Sequence, residues 1–270
     1  MQFSNINGVN LHYQVIGAPE GSPLLVFSNS LGTDFRIWRD VIVRFVGECA
    51  ILTYDKRGHG LSDLGDTPYT MDDHVADLEA LLDELGQKNA IIVGLSIGGL
   101  IAQGLYAKRP DLVRAMVLCD TAHKIGNDEL WNGRIAAVEK GGIKSLADGI
   151  MERWFSKEFP KDHPATYAGY KTMLSRQLDA GYIASSAAIR DADFTEDCAN
   201  IKIPTLCVVG DQDGATPPSV VAELAKLIPE SRFEVIKDAG HLPCIEQPEI
   251  LADMIKAFFD DAGLWPGKVS

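Results

Sequence analysis

The hydrophobic positions of this chain repeat with two periods. Val9-Asn10-Leu11-His12-Tyr13-Gln14-Val15 alternates apolar and polar residues, the pattern of a half-buried strand, and residues 17–23 then read as a turn. An N-terminal antiparallel hairpin is expected there. Six short, nearly continuous apolar runs follow, at residues 24–27, 49–54, 90–95, 113–118, 205–209 and 233–236. Runs of this kind suit strands covered on both faces. Helical spacing lies between them: behind a Thr70 cap, Val75, Leu78, Leu81, Leu82 and Leu85 fall at intervals of 3.6 residues and predict a helix over 71–85. A last helix over about 249–259 stacks Ile250, Met254, Ile255, Phe258 and Phe259 on one face, which suits packing against a sheet.

Strands that alternate with helices predict a mostly parallel sheet with helices on both faces, an α/β architecture. The alternation stops between residues 121 and 190, where helical patterns carrying Trp131, Trp154 and many charges replace strands. That stretch reads as a helical cap inserted after the sixth strand, with residues 1–120 and 191–270 forming the core. No Pro/Gly/Ser-rich linker sets it apart, and no internal repeat is present.

Composition narrows the partners. With 25 Lys+Arg against 38 Asp+Glu in 270 residues, the formal charge is −13, which disfavours nucleic-acid phosphates and anionic lipid surfaces. A chain of this length buries a sizeable core without disulfides or metal. Five scattered cysteines, Cys49, Cys119, Cys198, Cys207 and Cys244, form no C-x-x-C pair and fit thiols in a reducing cytosol. The first residues lack the basic start and apolar run of a secretory signal, and no apolar stretch approaches the ~20 residues that span a bilayer, so a cytoplasmic protein is expected.

One motif carries chemistry. Gly94-Leu95-Ser96-Ile97-Gly98 follows an apolar run and opens a helical pattern, the G-x-S-x-G context in which a serine hydroxyl stands exposed on a tight strand-to-helix turn. A serine needs a base to become a nucleophile. Among six histidines, His241 in Asp238-Ala239-Gly240-His241 lies after the last strand, where a loop returns to the sheet edge; His12, His59 and His74 sit where structural roles are usual, and His123 and His163 belong to the cap region. The base in turn needs an acid to fix its tautomer. Gly210-Asp211-Gln212-Asp213 offers two, and Asp213, beyond the tight turn, is preferred over Asp211. No H-E-x-x-H, Cys/His cluster, P-loop or first-strand G-x-G-x-x-G is present, so neither metal nor organic cofactor is expected.

The order Ser96, Asp213, His241, together with Asp55-Lys56-Arg57-Gly58-His59-Gly60-Leu61-Ser62 after the fourth strand, resembles the α/β-hydrolases over nearly the whole chain. Within them, Ser28-Asn29-Ser30-Leu31-Gly32-Thr33 and Trp131-Asn132-Gly133-Arg134-Ile135 look most like the 3-oxoadipate enol-lactonases of bacterial aromatic catabolism. Most relatives carry His-Gly where this chain has Asn29-Ser30. The resemblance implies an eight-stranded sheet, an oxyanion hole from the main-chain N–H groups of Leu31 and Ile97, and hydrolysis of the enol-lactone to 3-oxoadipate. It also implies that Arg134, with Trp131 on the same helical side, meets the carboxylate of a small anionic lactone; Arg153 and Arg176 are alternatives. Asn29 and Ser30 either contact substrate or form a polar turn. The same scaffold hosts carboxylesterases, perhydrolases, carbon–carbon bond hydrolases and a non-turnover receptor role.

Overall fold

The computed structural model describes residues 1–265. Eight strands, β1 (Gln2–Ile6), β2 (Val9–Ile16), β3 (Leu24–Ser28), β4 (Ala50–Tyr54), β5 (Ala90–Leu95), β6 (Val113–Cys119), β7 (Thr205–Gly210) and β8 (Arg232–Ile236), form one sheet. Their order is β1-β2-β4-β3-β5-β6-β7-β8. β1 and β2 form the antiparallel hairpin, β2 pairs antiparallel to β4, and every later pair is parallel.

The apolar runs became strands because both sheet faces are covered: every residue of β3, β5 and β7 is buried. Each buried Val, Leu or Ile of these strands stabilises the core by roughly 1.5–3 kcal/mol. Two expectations about the strands change. The hairpin turns at Asn7-Gly8, both at positive φ, and not at residues 17–23, which connect β2 to β3. Residues 233–236 are not covered on both faces either, because β8 is a sheet edge and its Phe233 and Val235 side chains are 37% and 38% exposed.

The helix Met71–Glu84 starts at the Thr70 cap, whose hydroxyl accepts from Asp73 N while the Asp73 carboxylate accepts from Thr70 N. The last helix, Pro248–Asp261, buries Leu251, Ala252, Ile255, Phe258 and Phe259. Ile250, expected on that face, instead points outward. Between β6 and β7 there is no strand. The helices Asp128–Gly141, Ala147–Trp154, Phe159–Asp162, Pro164–Ser175 and Asp179–Asp191 fill the stretch, with a short Thr195–Cys198 turn of helix after them.

Strand order positions the site. From β3 the chain goes to β4 on one side, and from β5 it goes to β6 on the other, so the loops leaving β3 and β5 diverge and open a crevice at the carboxyl end of the sheet. Backbones there touch without side chains between them. A Cβ on Gly98 would sit 2.1 Å from Ser28 O, and one on Gly210 would sit 2.1 Å from Gly240 O. Gly210→Ala is therefore expected to lower unfolding free energy by about 2 kcal/mol, because the colliding atom is backbone and cannot rotate away. Urea unfolding of the variant and the parent checks this.

Candidate active site

Ser96 follows β5 directly and is the N-cap residue of the helix Ile97–Lys108, with φ 57° and ψ −118°. A serine gains nothing by itself from this conformation, which costs on the order of 1–3 kcal/mol and persists only where its surroundings impose it. Here they do: Ser96 N donates to Cys119 O at 3.0 Å, and Ser96 O accepts from Thr121 Oγ1 at 2.7 Å and from Gly99 N at 2.9 Å. Gly94 and Gly98 supply the remaining space, since a Cβ on Gly94 would meet Gly98 O at 2.3 Å.

The loop after β8 brings His241 to the same cavity as Ser96. Its Nδ1 donates to Asp213 Oδ2 at 2.9 Å, with Thr216 Oγ1 at 3.4 Å, which leaves Nε2 for the serine side. Among the described residues no direct hydrogen bond joins Ser96 to His241, a separation common before substrate is bound. Asp213 is buried and saturated. Its Oδ1 accepts from Ala215 N at 2.7 Å and Thr216 N at 3.0 Å, and its Oδ2 accepts from Thr216 Oγ1 at 2.7 Å as well as from His241. Burial alone would raise this carboxyl, but His241 and the surrounding donors outweigh it and hold it below the usual carboxylate range. Asp211 is exposed and reaches only Ala239 N at 3.3 Å.

Beneath this pair lies Asp120, directly after β6. Its Oδ1 accepts from Gly210 N at 2.9 Å, while Oδ2 is buried without a partner. Burial and the adjacent Asp213 charge push its carboxyl well above the ordinary range, which favours its protonated form. Asp120, Asp213 and His241 offer ligand atoms within 4.8 Å of one another, yet both Asp213 oxygens are already engaged by four donors. That donor set suits a carboxylate that orients a histidine.

Ser30, Leu31, Ser96, Trp131, Arg134, Arg153, Trp154, Tyr182, Thr216 and His241 are among the residues that line a cavity of about 130 Å³. Leu31 N–H has no acceptor among the described residues, and Ile97 N–H is the first of its helix and has no intrahelical partner. Arg134 lies over the Trp131 ring at 4.8 Å, and Trp131 is fixed by Nε1 donating to Ile125 O at 2.6 Å. Among the described residues, no Asp or Glu lines the cavity beside Arg134 and Arg153. Burial and the Arg134 charge lower the Arg153 guanidinium, which stays cationic.

Of the two readings open for Asn29, the structure shows the polar turn. Its amide Nδ2 donates to Thr33 O at 2.7 Å within its own turn, and it is not among the residues that line the cavity. Arg176 lies on a separate surface cleft of about 500 Å³ with His12 and Arg36, away from Ser96. The residues missed from sequence were Thr216, Tyr182, Asp120 and Glu246. Glu246 accepts from Ser156 N and from Gly240 N beside His241. Only Thr216 had a local signal, its place three residues past Asp213.

A strained serine at the end of a parallel strand, facing a buried His–Asp pair across a crevice, defines the hydrolase class. Residues 25–254 match the alpha/beta hydrolase family, and the chain belongs to it. It is 35% identical to 3-oxoadipate enol-lactonase 1 of Acinetobacter baylyi over 260 residues, 96% of each chain, and 33% identical to enol-lactonase 2 of the same organism over 249 residues, 92% of each. The crystal structure of the enol-lactonase from Burkholderia xenovorans superposes with a TM-score of 0.92 at 33% identity, covering 96% of this chain and 100% of that one. Asp213→Asn is expected to lower kcat about 10⁴-fold and Asp211→Asn by less than about threefold, measured as steady-state ester hydrolysis.

Proposed function

We propose that this hydrolase opens a small lactone carrying a carboxylate, 3-oxoadipate enol-lactone above all, and so serves the catabolism of aromatic compounds. The observation that carries the reading is one cavity that joins Ser96 on its strained turn, the His241–Asp213 pair and two arginines without carboxylate partners. In a chain of net charge −13 the long-range field repels an anion, but it is screened within about 10 Å at moderate salt. Inside the cavity Arg134 and Arg153 dominate. The likeness to enol-lactonases of two organisms supports the same substrate.

In the proposed reaction Ser96 Oγ attacks the lactone carbonyl and its proton passes to His241 Nε2, while Asp213 holds Nδ1 and balances the imidazolium. The carbonyl oxygen, now an oxyanion, lies between Leu31 N–H and Ile97 N–H. Collapse breaks the ring C–O bond, and His241 returns the proton to the departing enol oxygen. The enol stays tethered to the acyl-enzyme and could re-close; conversion to the ketone removes that nucleophile. Water, deprotonated by His241, then attacks the acyl-enzyme and releases 3-oxoadipate, with Ser96 reprotonated. No redox or group-transfer partner enters this sequence. The five thiols, all free and buried, fit work in a reducing cytosol.

Multiple-turnover hydrolysis of freshly generated enol-lactone, followed by its ultraviolet absorbance, tests the reading. Rapid loss of the lactone that disappears in Ser96→Ala is expected; a lactone left untouched while aryl esters are cleaved through Ser96 would move the substrate elsewhere in the family. Arg134→Ala is expected to raise KM for the anionic lactone about tenfold or more, the scale of one charge-assisted hydrogen bond, and KM for a neutral ester by less than about twofold. Equal effects on both substrates would remove Arg134 from carboxylate recognition.

A further inference from the structure

Lys56 is an unusual residue to find where it is. It follows β4 in the Asp55–Ser62 loop, is fully buried, and has no carboxylate within ion-pair distance among the described residues. Its ammonium donates instead to two carbonyls of the loop after β3, Asn29 O at 2.8 Å and Ser30 O at 3.0 Å. A buried charge that meets only main-chain dipoles is expensive, and nothing in core packing calls for it.

The geometry of the peptide group shows what the contact does. Ser30 C=O and Leu31 N–H belong to one trans peptide unit, so they point in opposite directions. An ammonium that draws Ser30 O toward Lys56 turns Leu31 N–H away from it, toward the cavity that Leu31 lines with Ser96. Thr33 holds the same oxygen through Oγ1 at 2.8 Å. The next N–H, of Gly32, donates to His59 Nε2 at 3.1 Å, and His59 Nδ1 donates to Arg57 O at 3.2 Å, so the same loop fastens both sides of Leu31.

The other N–H of the pair is built alike but without charge. Ser96 C=O and Ile97 N–H share a peptide, and that carbonyl is held by the neutral Thr121 hydroxyl and Gly99 N. Ile97 opens a helix whose N-terminus favours an anion, whereas Leu31 lies in a loop and has a cation behind it instead. A cation at a carbonyl oxygen also polarises the amide and strengthens its N–H as a donor.

We infer that Lys56 is a positioning residue for the oxyanion hole: its buried ammonium aims and polarises the Ser30–Leu31 peptide so that Leu31 N–H stabilises negative charge forming on a carbonyl oxygen bonded to Ser96. The inference rests on the hydrolase reading of Ser96 and Leu31 and is independent of which lactone or ester is the substrate.

The groups facing Lys56 agree with it. Burial lowers the Lys56 ammonium to about 7, against the raising influence of Asp55 and Asp34. Burial, then the Lys56 charge, lowers His59 to about 3 and His74 well below its usual value, so neither competes as a cation. Arg57, beside it in sequence, is spent on Asp77 at 2.6 and 2.7 Å. The ammonium is present below about pH 7 and discharges as the pH rises through that value.

Lys56→Met, of similar length and apolar, tests this with a neutral aryl acetate as substrate and two ligands. One is a trifluoromethyl ketone, whose carbonyl carbon takes Ser96 Oγ, whose oxygen becomes the oxyanion, and whose adduct sends the serine proton to His241. The other is adipate, which binds without an adduct. At pH 6.5 kcat and ketone affinity are expected to fall together by about 10- to 100-fold, less than or equal to the loss of a direct oxyanion donor. KM and adipate affinity are expected to change less than twofold, and the gap between parent and variant to narrow above pH 7. Lys56→Gln, which keeps a hydrogen-bond donor without the charge, is expected to lie between the two, and it replaces the methionine variant if circular dichroism shows that one unfolded. A folded variant with the parent's kcat and ketone affinity overturns the inference, as does an equal loss of ketone and adipate affinity in both variants. A parent that forms no ketone adduct removes the hydrolase reading and this inference together, whereas an active parent with an indistinguishable variant removes this inference alone.

Discussion

Everything at the carboxyl edge of this sheet depends on backbones that touch. Gly98 lies against the end of β3, Gly94 against the first turn of the Ser96 helix, and Gly210 against the loop that carries His241. None of these contacts leaves room for a methyl group. They bring the ends of β3, β5 and β7 close enough that a serine, an acid and a base from distant parts of the chain share one small cavity. The cost is local: Ser96 at positive φ and a buried, half-satisfied Asp120 are arrangements that an isolated segment would not adopt. The apolar strands supply the stability that sustains them.

Much of this was legible beforehand because it follows from periodicity and spacing. Strands covered on both faces announce themselves as apolar runs, and the turn at Ser96 as two glycines flanking a serine. What escaped depended on neighbours far along the chain. Residues 233–236 look like an interior strand because nothing in four residues says that no ninth strand will cover them. Ile250 and Leu251 are equally apolar, and only the tilt of the last helix decides which one is buried. The hairpin was within reach, since Asn7-Gly8 is a strong turn signal. Asn29 was open in the sequence, because a polar turn and a ligand contact use the same residue; the acceptor on Thr33 decides it. Asp213 over Asp211 rested on loop position, and the physical reason is the four donors that converge on the former.

The electrostatics divide by depth. Carboxylates dominate the surface, but the residues behind the cavity are arranged so that positive charge meets no carboxylate, at Arg134 and Arg153 in the helical segment and at Lys56 below the β3 loop. The exception is the acid pair Asp120–Asp213, in which the carboxyl facing the histidine is held low and the other is pushed up, so negative charge is favoured on Asp213. One negative charge there balances one imidazolium; a second would trap it.

Glu246 has a mechanical consequence. One carboxylate receives Ser156 N, from the segment between β6 and β7, and Gly240 N, from the loop that presents His241. The roof of the cavity and the mount of its base thus share a single rivet. A displacement at Ser156 is therefore felt at Gly240 as well, so the fit of the helical segment over the sheet edge and the placement of the loop that carries His241 are tied to one carboxylate, while Asp213 holds the imidazole itself.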